Sequence, residues 1–438
     1  MRVIRTRLYS AWLQRNPRLS TICLRAMLAL LASLALLADA GKQSVAQAPV
    51  RPKLELEHFT DQKRRLFYAA RSRCLENGSS QPREIIEACS YLIENAKIGA
   101  TIGVKPLTTR ELALCYIGRA RGKVRLKSFT AAGIVPDLDS AVKLLPDEAL
   151  AYQARGEFLV SLSNPLFAGR SRADLEKVIA INPDDVGSMR LLALAQAKVL
   201  DLEAARSTID RAVEVQRRSQ PKPILSSDQR KLNEIAKALK LKPIDPETQQ
   251  KEWANRLAPL LLARATILLT LGDTRGATAE FEAAAKISSV SAKAHAGLGL
   301  IAAAEGEFER AQALLSKAIE GMPSNAQFRL WRARAAMGAL NDNAALADLY
   351  DAIARFEMRT DKDGLRQAHA WRALLMQSAG RSGEAAADCR VSIELNEGRP
   401  FLPCDQSLSV KEETAADIHQ SFTALLRSLI LVLDPIQF

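Results

Sequence analysis

The residues of this chain that could carry out chemistry do not form a known catalytic arrangement. Residues 297–302 read G-L-G-L-I-A, which matches the letters of a dinucleotide-binding loop. That loop requires a strand before the glycines and a helix that begins at them. Here the sequence predicts that a helix is already under way at Ser291. The two glycines are therefore expected to lie where helices cross, and no cofactor is expected.

The histidines and hydroxyl groups give no stronger indication of an active site. His58, His295, His369 and His419 are too scattered to suggest a metal cluster. No G-x-S-x-G elbow, phosphate loop or H-E-x-x-H motif occurs. His295 and His369 are expected to have packing roles. Enzymatic activity is not expected, and a site improvised on the fold is only a third hypothesis.

A run of basic residues offers the chemistry of anion binding. If the chain were extended, five cations would all point one way, namely Arg119, Arg121, Lys123, Arg125 and Lys127. Such a stripe could attract an anionic polymer or a lipid surface. The interpretation that we favour is the solvated end of a helix followed by a loop. Nucleic acid is not an expected partner, because no dense basic face with interleaved aromatics accompanies the run.

Cysteine spacing favours an oxidising compartment. Cys74 and Cys89 flank a turn that is expected to join two antiparallel helices, and Cys389 and Cys404 have the same separation in the sequence. Each pair is predicted to form a disulfide, and the alternative is a set of buried, reduced thiols. Cys115 has no evident partner and is expected in the core.

The amino-terminal segment, residues 1–40, is typical of a secretory signal peptide. Six arginines precede an apolar run from Ala26 to Ala38, and Ala38-Asp39-Ala40 offers small residues for cleavage before Gly41. The run is short for a membrane span, which needs about 20 apolar residues. We therefore expect a periplasmic or secreted protein, and an uncleaved anchor is the alternative.

Composition favours helices over sheets. The chain of 438 residues is 48% hydrophobic but only 5% aromatic, so alanine and leucine supply most of the apolar surface. The formal charge is +12, and beyond residue 40 there are 55 basic and 48 acidic residues. A mild excess of this kind supports solubility and only a weak contact with anionic surfaces.

An internal repeat predicts the helices on which all these side chains must lie. Two sets of alanines recur at one constant interval, the second set seven positions after the first: Ala277, Ala311 and Ala345, then Ala284, Ala318 and Ala352. A period of about 34 residues with small residues at fixed offsets predicts stacked helix pairs. Small residues let crossing helices approach to about 8–10 Å. The predicted fold class is all-α, an α-solenoid of stacked antiparallel helix pairs.

This register resembles the tetratricopeptide repeat (TPR) family, and the chain is interpreted as an exported bacterial TPR protein. The best copy is residues 292–325, with Leu298-Gly299 in the first helix, Gly306 at the turn, and Ala311 and Ala318 in the second helix. Weaker copies lie in phase on both sides. About six recognisable units and one or two eroded ones are expected to cover most of the mature chain.

The predicted organisation has six segments. They are a signal peptide (1–40), a low-order lead-in (41–56), an N-terminal repeat block (57–216), a loop–helix insertion or joint (217–250), a C-terminal repeat block (251–400) and a tail with a capping helix (401–438). Four prolines interrupt the insertion. The apolar stretches 424–426 and 429–433 predict a cap for the last repeat, or else a contact for dimerisation or another partner.

The resemblance also implies where a ligand would lie. In this family the first helices line an inner groove, and the corresponding residues of this chain are Arg190, Leu194, Leu262, Thr266, Leu269, Lys293, Ala296, Leu300, Ala303, Gln327, Leu330, Arg334, Met337, Ala370, Leu374 and Gln377. The arrangement by which some members clamp a terminal carboxylate is absent. An aliphatic groove with a few basic and amide groups suits a helix or an extended segment. The alternative is that these residues cover one another.

The predicted function is that of a non-catalytic scaffold or adaptor in the bacterial cell envelope. It would bind another protein or a peptide segment in the groove. The alternative function is an accessory factor that holds an anionic envelope polysaccharide or lipid through the basic stripe. Steep weakening by salt would distinguish the second from the first.

Overall fold

The described part of the chain is entirely helical. A computed structural model describes residues 53–75, 81–97, 101–126, 129–162, 164–221, 226–238, 245–397 and 404. These residues contain 17 α-helices and no strand, which confirms the all-α prediction. None of the described helices has both the length and the apolar character needed to cross a membrane. The predicted signal peptide and most of the tail lie outside the described residues.

Sixteen of the helices form eight consecutive pairs, and α9 stands alone. The helices are α1 Lys53–Leu75, α2 Pro82–Glu94, α3 Thr109–Leu126, α4 Ala131–Leu144, α5 Ala149–Ser161, α6 Pro165–Ile181, α7 Val186–Lys198, α8 Leu202–Arg218, α9 Ser226–Ala238, α10 Pro246–Thr270, α11 Thr274–Ala285, α12 Ser291–Ala304, α13 Phe308–Gly321, α14 Ala326–Gly338, α15 Asp342–Met358, α16 Lys362–Ser378 and α17 Ser382–Leu395. The chain divides into two compact units, Met1–Lys63 and Arg64–Phe438. In the first unit, the described residues form the beginning of α1; everything below concerns the second.

The periodic small residues lie at the helix crossings, as predicted. All six alanines that define the repeat, on α11, α13 and α15, are completely buried. In α12, a Cβ added at Gly299 would lie 2.8 Å from Cγ of Leu315 and 3.3 Å from the carbonyl oxygen of Ala311. A larger side chain at this position would push α12 away from α13. The glycines of the G-L-G-L-I-A stretch therefore serve helix packing, and a turn rather than a strand precedes α12.

Two glycines with opposite surroundings test this packing. A Cβ added at Gly297 would lie 2.6 Å from the ring of Phe281, whereas one added at Gly169 on α6 would meet nothing within 4 Å. Gly297→Ala should therefore lower the free energy of unfolding by about 1–3 kcal/mol through overpacking. Gly169→Ala should raise it by about 1 kcal/mol, because alanine favours the helix. Urea unfolding measures both, and equal shifts for the two variants would contradict the crossing role of Gly297.

Short polar side chains set the starts of many helices. An Asp or Asn directly before the helix accepts a hydrogen bond from a backbone N–H two or three residues ahead, at Asn164, Asp185, Asp201, Asp245, Asp273, Asn325, Asn341 and Asp361. Such caps satisfy the donors that a helix start leaves unpaired. Asp185 belongs to the acidic pair that follows Pro183, so the predicted capping role of that pair is confirmed for Asp185.

The stack continues directly across the proline-rich segment 217–250. Helix α8 packs against α10, and α9 separates them only in sequence. Trp253 donates a hydrogen bond from Nε1 to the carbonyl oxygen of Gln216 at 2.7 Å, and Gln216 donates back to the carbonyl oxygen of Trp253 at 3.4 Å. One hydrophobic cluster runs from Val160 to Leu375. Helices α8 and α10 therefore stack directly on each other, although this segment lies between them in the sequence.

Helix boundaries differ in detail from the predicted segments. Helix α1 begins at Lys53, inside the predicted lead-in 41–56, and α10 begins at Pro246, inside the predicted insertion. Pro246 occupies the first turn of α10, where its missing N–H costs nothing. The proline that was expected to interrupt a helix therefore begins one.

Candidate interaction surface

Five helix pairs carry the same ion pair between their first and second helices. An arginine of the first helix binds an acid 16 to 19 residues later, in the pairs Arg119–Asp137, Arg155–Asp174, Arg264–Glu280, Arg332–Asp348 and Arg372–Asp388. In all but the Arg264 pair, Nε and a terminal nitrogen of the guanidinium donate to the two carboxylate oxygens. A bidentate pair fixes orientation as well as distance. The pairs therefore set how each second helix lies on its first.

These ion pairs have a sequence signal that the alanine repeat alone does not reveal. Each arginine directly precedes a small residue of the first helix, as in Arg332-Ala333. In the pairs of Arg264, Arg332 and Arg372, the acid stands four positions before the second small residue of the second helix. Asp348, for example, stands four positions before Ala352. In the α12–α13 pair, the corresponding positions one repeat upstream hold Leu298 and Leu314. The same position between the first and second helix of a pair can therefore hold either an ion pair or two leucines.

Asp388, like Asp137, binds two side chains of its first helix. Its carboxylate accepts hydrogen bonds from Nε and Nη2 of Arg372 and pairs with Nδ1 of His369 at 2.8 Å. Burial alone would raise the pKa of Asp388, but the hydrogen bonds from Arg372 and His369 outweigh it and hold the pKa below its usual value. His369 is buried in this contact, which fits the packing role that we predicted. Among the described residues no cluster of His, Cys, Asp and Glu is suited to a metal ion.

The lowered pKa of Asp388 predicts a specific acid sensitivity. Because the folded-state pKa lies below the unfolded value of about 3.9, the stabilisation is complete above that value and is lost as the pH falls through the folded pKa. Asp388→Asn should therefore be less stable than the wild type at pH 5, and the difference should shrink as the pH approaches 3. Urea midpoints across this range measure the effect. A difference that stays constant with pH would contradict the assignment.

The structure places the sixteen predicted groove residues on the first helices but buries most of them. Eleven are buried: Leu194, Leu262, Thr266, Leu269, Ala296, Leu300, Ala303, Leu330, Arg334, Met337 and Ala370. Arg190, Lys293, Gln327 and Leu374 are partly exposed, and Gln377 is exposed. The accessible members therefore carry basic and amide groups and one leucine. The open aliphatic trough that the sequence suggested is not present as a bare surface.

Arg334 is a buried charge on this inner face. Only 4% of the residue is exposed, and Cζ lies 4.7 Å from the ring centroid of Trp371 on the next first helix. A guanidinium stacked on an indole gains cation–π attraction. Burial lowers the pKa of Arg334 to about 9. The contact ties α14 to α16 and places a cation among the aliphatic groove residues.

Three consecutive first helices bring together residues that the sequence assigned to different sites. The carboxyl group of Glu157 on α5 lies in the electric field of two arginines. Arg121 of α3 belongs to the predicted anion stripe, and Arg190 of α7 belongs to the predicted groove. Burial raises the pKa of Glu157, and the two arginines offset only part of that rise. The sequence gives no signal for this contact, because the two arginines are 36 and 33 positions away from Glu157.

The four described cations of the predicted anion stripe do not share a face. Helix α3 continues to Leu126, so the extended arrangement does not form. Arg119 and Lys123 both bind the carboxylate of Asp137, at 2.6 and 2.8 Å. Arg121 and Arg125 are exposed, and Lys127 lies outside the described residues. Over Arg119–Arg125 the extended arrangement assumed by the anion-stripe hypothesis is absent, and two of its cations are used inside the stack instead of being solvated.

Both predicted cysteine pairs are disulfides. Cys74 of α1 bonds Cys89 of α2 with a Cα–Cα distance of 5.1 Å, and Cys389 of α17 bonds Cys404 with a distance of 5.3 Å. Cys115 is a free, fully buried thiol beside the first of these disulfides in one hydrophobic cluster. Burial is the main cause that raises the pKa of Cys115 to about 12. A thiol with this pKa is almost never the reactive thiolate.

Comparison with known proteins finds partial structural likenesses at low sequence identity. No protein-family model matches the chain, and no curated protein matches it by sequence. A Rap protein complexed with competence and sporulation factor is 16% identical over 79% of this chain and 97% of its own, with a TM-score of 0.43. PilF of Pseudomonas aeruginosa is 13% identical over 57% and 94%, with a TM-score of 0.39. YrrB, a TPR protein with an unusual peptide-binding site, is 15% identical over 50% and 91%, with a TM-score of 0.30.

The helix pairs, their period and their crossings define the class of this protein. It is an all-α protein with an α-solenoid fold of stacked antiparallel helix pairs.

Proposed function

We propose that this protein is a non-catalytic scaffold that binds a polypeptide segment along the inner side of its first helices. The observation that carries the proposal is the row of residues that consecutive first helices leave accessible there. Lys293 of α12, Gln327 of α14 and Leu374 and Gln377 of α16 offer one cation, two amides and an aliphatic group. Amide and cationic groups can bind a peptide backbone and its acidic side chains, while a leucine contacts an apolar side chain.

The cell envelope is the compartment that we propose for this activity. Two disulfides form in the described part of the chain. Disulfides persist in oxidising compartments and are rare in the cytosol. The predicted signal peptide, residues 1–40, is consistent with the same location. Recovery of the protein from a periplasmic fraction, with its amino terminus at Gly41, is the direct test of this part.

Site-specific photo-crosslinking tests the proposed binding surface. A benzoylphenylalanine residue is introduced at Gln327 or Gln377 on the inner side, and at the exposed Ala313 of α13 as the outer control. Cross-links to a discrete polypeptide from the inner positions alone are the expected result. Equal cross-linking from Ala313, or none from Gln327 and Gln377, would contradict the proposal.

A charged substitution gives an independent measure of the same surface. Leu374 is partly exposed on α16, whereas Val391 is exposed on α17. Leu374→Glu should reduce recovery of the cross-linked polypeptide, and Val391→Glu should leave it unchanged. Leu300 and Leu330 are unsuitable, because both are completely buried and a buried glutamate would unfold the stack. Recovery that is insensitive to salt between about 50 and 200 mM would distinguish a peptide from a polyanion.

A further inference from the structure

A cleft of about 500 Å³ lies between the start of α12 and the end of α13. One wall is a face of α13, where Lys317, Glu320 and Gly321 have the spacing that places side chains on one side of a helix. The opposite wall is the beginning of α12, with Lys293 and His295. Clefts that bind ligands have volumes of about 300–1,000 Å³. This cleft is therefore large enough for more than a single small ion.

The floor of the cleft is a close contact between two small residues. A Cβ added at Gly321 would lie 2.8 Å from Cβ of Ala292 and 3.5 Å from its Cα. The two helices thus approach each other closely at this point, as small residues allow. The long side chains of Lys293 and Lys317 line the space beside the contact. Because the contact joins one helix to the other, the backbones set the separation of the two walls.

The next helix pair shows how the corresponding place is filled from within the chain. One repeat of 34 residues downstream, Arg329 corresponds to His295 and Asp351 corresponds to Lys317. Arg329 and Asp351 form an ion pair, and Arg329 also donates a hydrogen bond to the carbonyl oxygen of Pro323 at 2.6 Å. The α14–α15 pair therefore holds a carboxylate of its own at this place. The α12–α13 pair has a lysine there instead.

The charges that line the cleft favour a ligand with one negative charge. Two lysines, Lys293 and Lys317, against one acid, Glu320, leave a net charge of +1 with a neutral histidine. Within the described part of the chain, neither Lys317 nor Glu320 takes part in a hydrogen bond or an ion pair. A carboxylate matches the net charge. A dianion such as phosphate would be repelled about twice as strongly by Glu320, because the Coulomb energy scales with the charge.

His295 and the serines add neutral hydrogen-bonding groups to the cleft. Nδ1 of His295 lies 2.9 Å from the carbonyl oxygen of Ser291, which can only accept, so Nδ1 is the donor. In the neutral ring Nε2 then holds a lone pair and can accept a hydrogen bond from a ligand N–H. The hydroxyl groups of Ser288 and Ser289 can donate to an oxygen of the ligand. A carboxylate beside a peptide N–H has the groups that this set requires.

We propose that this cleft binds a carboxylate of a polypeptide between the ammonium groups of Lys293 and Lys317. The inference rests on the proposed function for the source of the carboxylate, because Lys293 belongs both to the cleft and to the accessible row on the first helices. An acidic side chain and a chain terminus offer the same chemical group. The partner polypeptide therefore has an acidic residue or its carboxyl end where it passes the start of α12.

Short glycine peptides test the cleft without the natural partner. The first has a central glutamate and blocked termini, the second has a central glutamine and a free carboxyl terminus, and the third has a central glutamine and blocked termini. Each peptide, and inorganic phosphate, is titrated into the full chain, and the backbone amide NMR signals of Ser289 and Lys293 report binding. We expect saturable shifts with at least one of the two carboxylate peptides and none with the neutral peptide. The carboxylate peptide that binds more tightly identifies the source.

Variants separate the cleft from the rest of the surface. Lys317→Ala should weaken binding of the carboxylate peptide about fivefold, the effect expected for one exposed ion pair. Lys286→Ala removes the same charge from an exposed lysine outside the cleft and should leave binding unchanged. His295→Arg/Lys317→Asp copies the arrangement of the α14–α15 pair and should abolish the saturable shifts. A urea midpoint close to that of the wild type shows that each variant is folded.

Several results would overturn the proposal. They are no saturable shift with either carboxylate peptide, tighter binding of phosphate than of both peptides, equal losses in Lys317→Ala and Lys286→Ala, and full binding by His295→Arg/Lys317→Asp. The cross-linking from Gln327 and Gln377 needs the partner, whereas the peptide titration does not. Cross-links without peptide binding would therefore contradict the cleft alone. Peptide binding without cross-links would contradict the polypeptide scaffold and leave the carboxylate site in place.

Discussion

Replacement of Arg332 alone by leucine should lower the free energy of unfolding by about 3 kcal/mol, because it leaves a buried carboxylate without its charged partner. Asp348 is 7% exposed and accepts hydrogen bonds from Nε and Nη2 of Arg332, each at 2.7 Å. Arg332 also donates a hydrogen bond to Oγ of Ser316 on α13, so it links two successive helix pairs. The shift of the urea midpoint, and faster amide exchange in α14 and α15, measure the loss.

The chain itself supplies the matched control for this prediction. At the corresponding positions of the α12–α13 pair stand Leu298 and Leu314, so two leucines are compatible with the same packing. The double variant Arg332→Leu/Asp348→Leu should therefore recover most of the stability lost by the single variant. A double variant as unstable as Arg332→Leu would show that the arginine stem, and not the unpaired charge, is what matters.

The helix stack is the part of this protein that the sequence predicts well. Residues such as Ala311 and Ala318 have no freedom to vary in size, because a crossing of two helices excludes any larger side chain. A constraint of this kind repeats with every unit, so it is visible as a period. The caps are visible for a similar reason, since a helix start needs a short polar side chain at one fixed position.

The ion pairs show why part of the candidate site was missed. Arg372 and Asp388 are ordinary surface residue types, and only their shared register with the alanines reveals that they meet. Glu157 has no register of this kind, because its two arginines come from neighbouring units. Contacts between successive helix pairs depend on how far one pair is rotated relative to the next. The sequence of a single repeat does not determine that rotation.

The turns show a second limit of sequence patterns. Gly272, Gly306 and Gly380 adopt positive φ between first and second helices, as glycine does readily. Leu200 and Leu340 take the same conformation, with φ of 63° and 57°, and are 79% and 83% exposed. A left-handed leucine costs about 1–2 kcal/mol, so no propensity rule predicts it. The surrounding helix pair imposes the conformation.

Loss of either disulfide should destabilise its own end of the stack by about 3 kcal/mol, the loop-closure value for a loop of this length. Both disulfides join cysteines with a sequence separation of 15, so Cys74→Ala/Cys89→Ala and Cys389→Ala/Cys404→Ala should cost similar amounts through chain entropy. Amide exchange resolves the two ends of a repeat stack, where a single global transition does not describe unfolding. The first variant should loosen α1 and α2, and the second should loosen α16 and α17.

Cys115 provides the control for the disulfide variants. Because burial raises the pKa of Cys115 to about 12, its thiol should not exchange with the neighbouring Cys74–Cys89 disulfide at neutral pH. Cys115→Ala should therefore leave the non-reducing electrophoretic pattern unchanged and cost less than either disulfide. Mixed disulfides that disappear in Cys115→Ala would contradict an inert thiol.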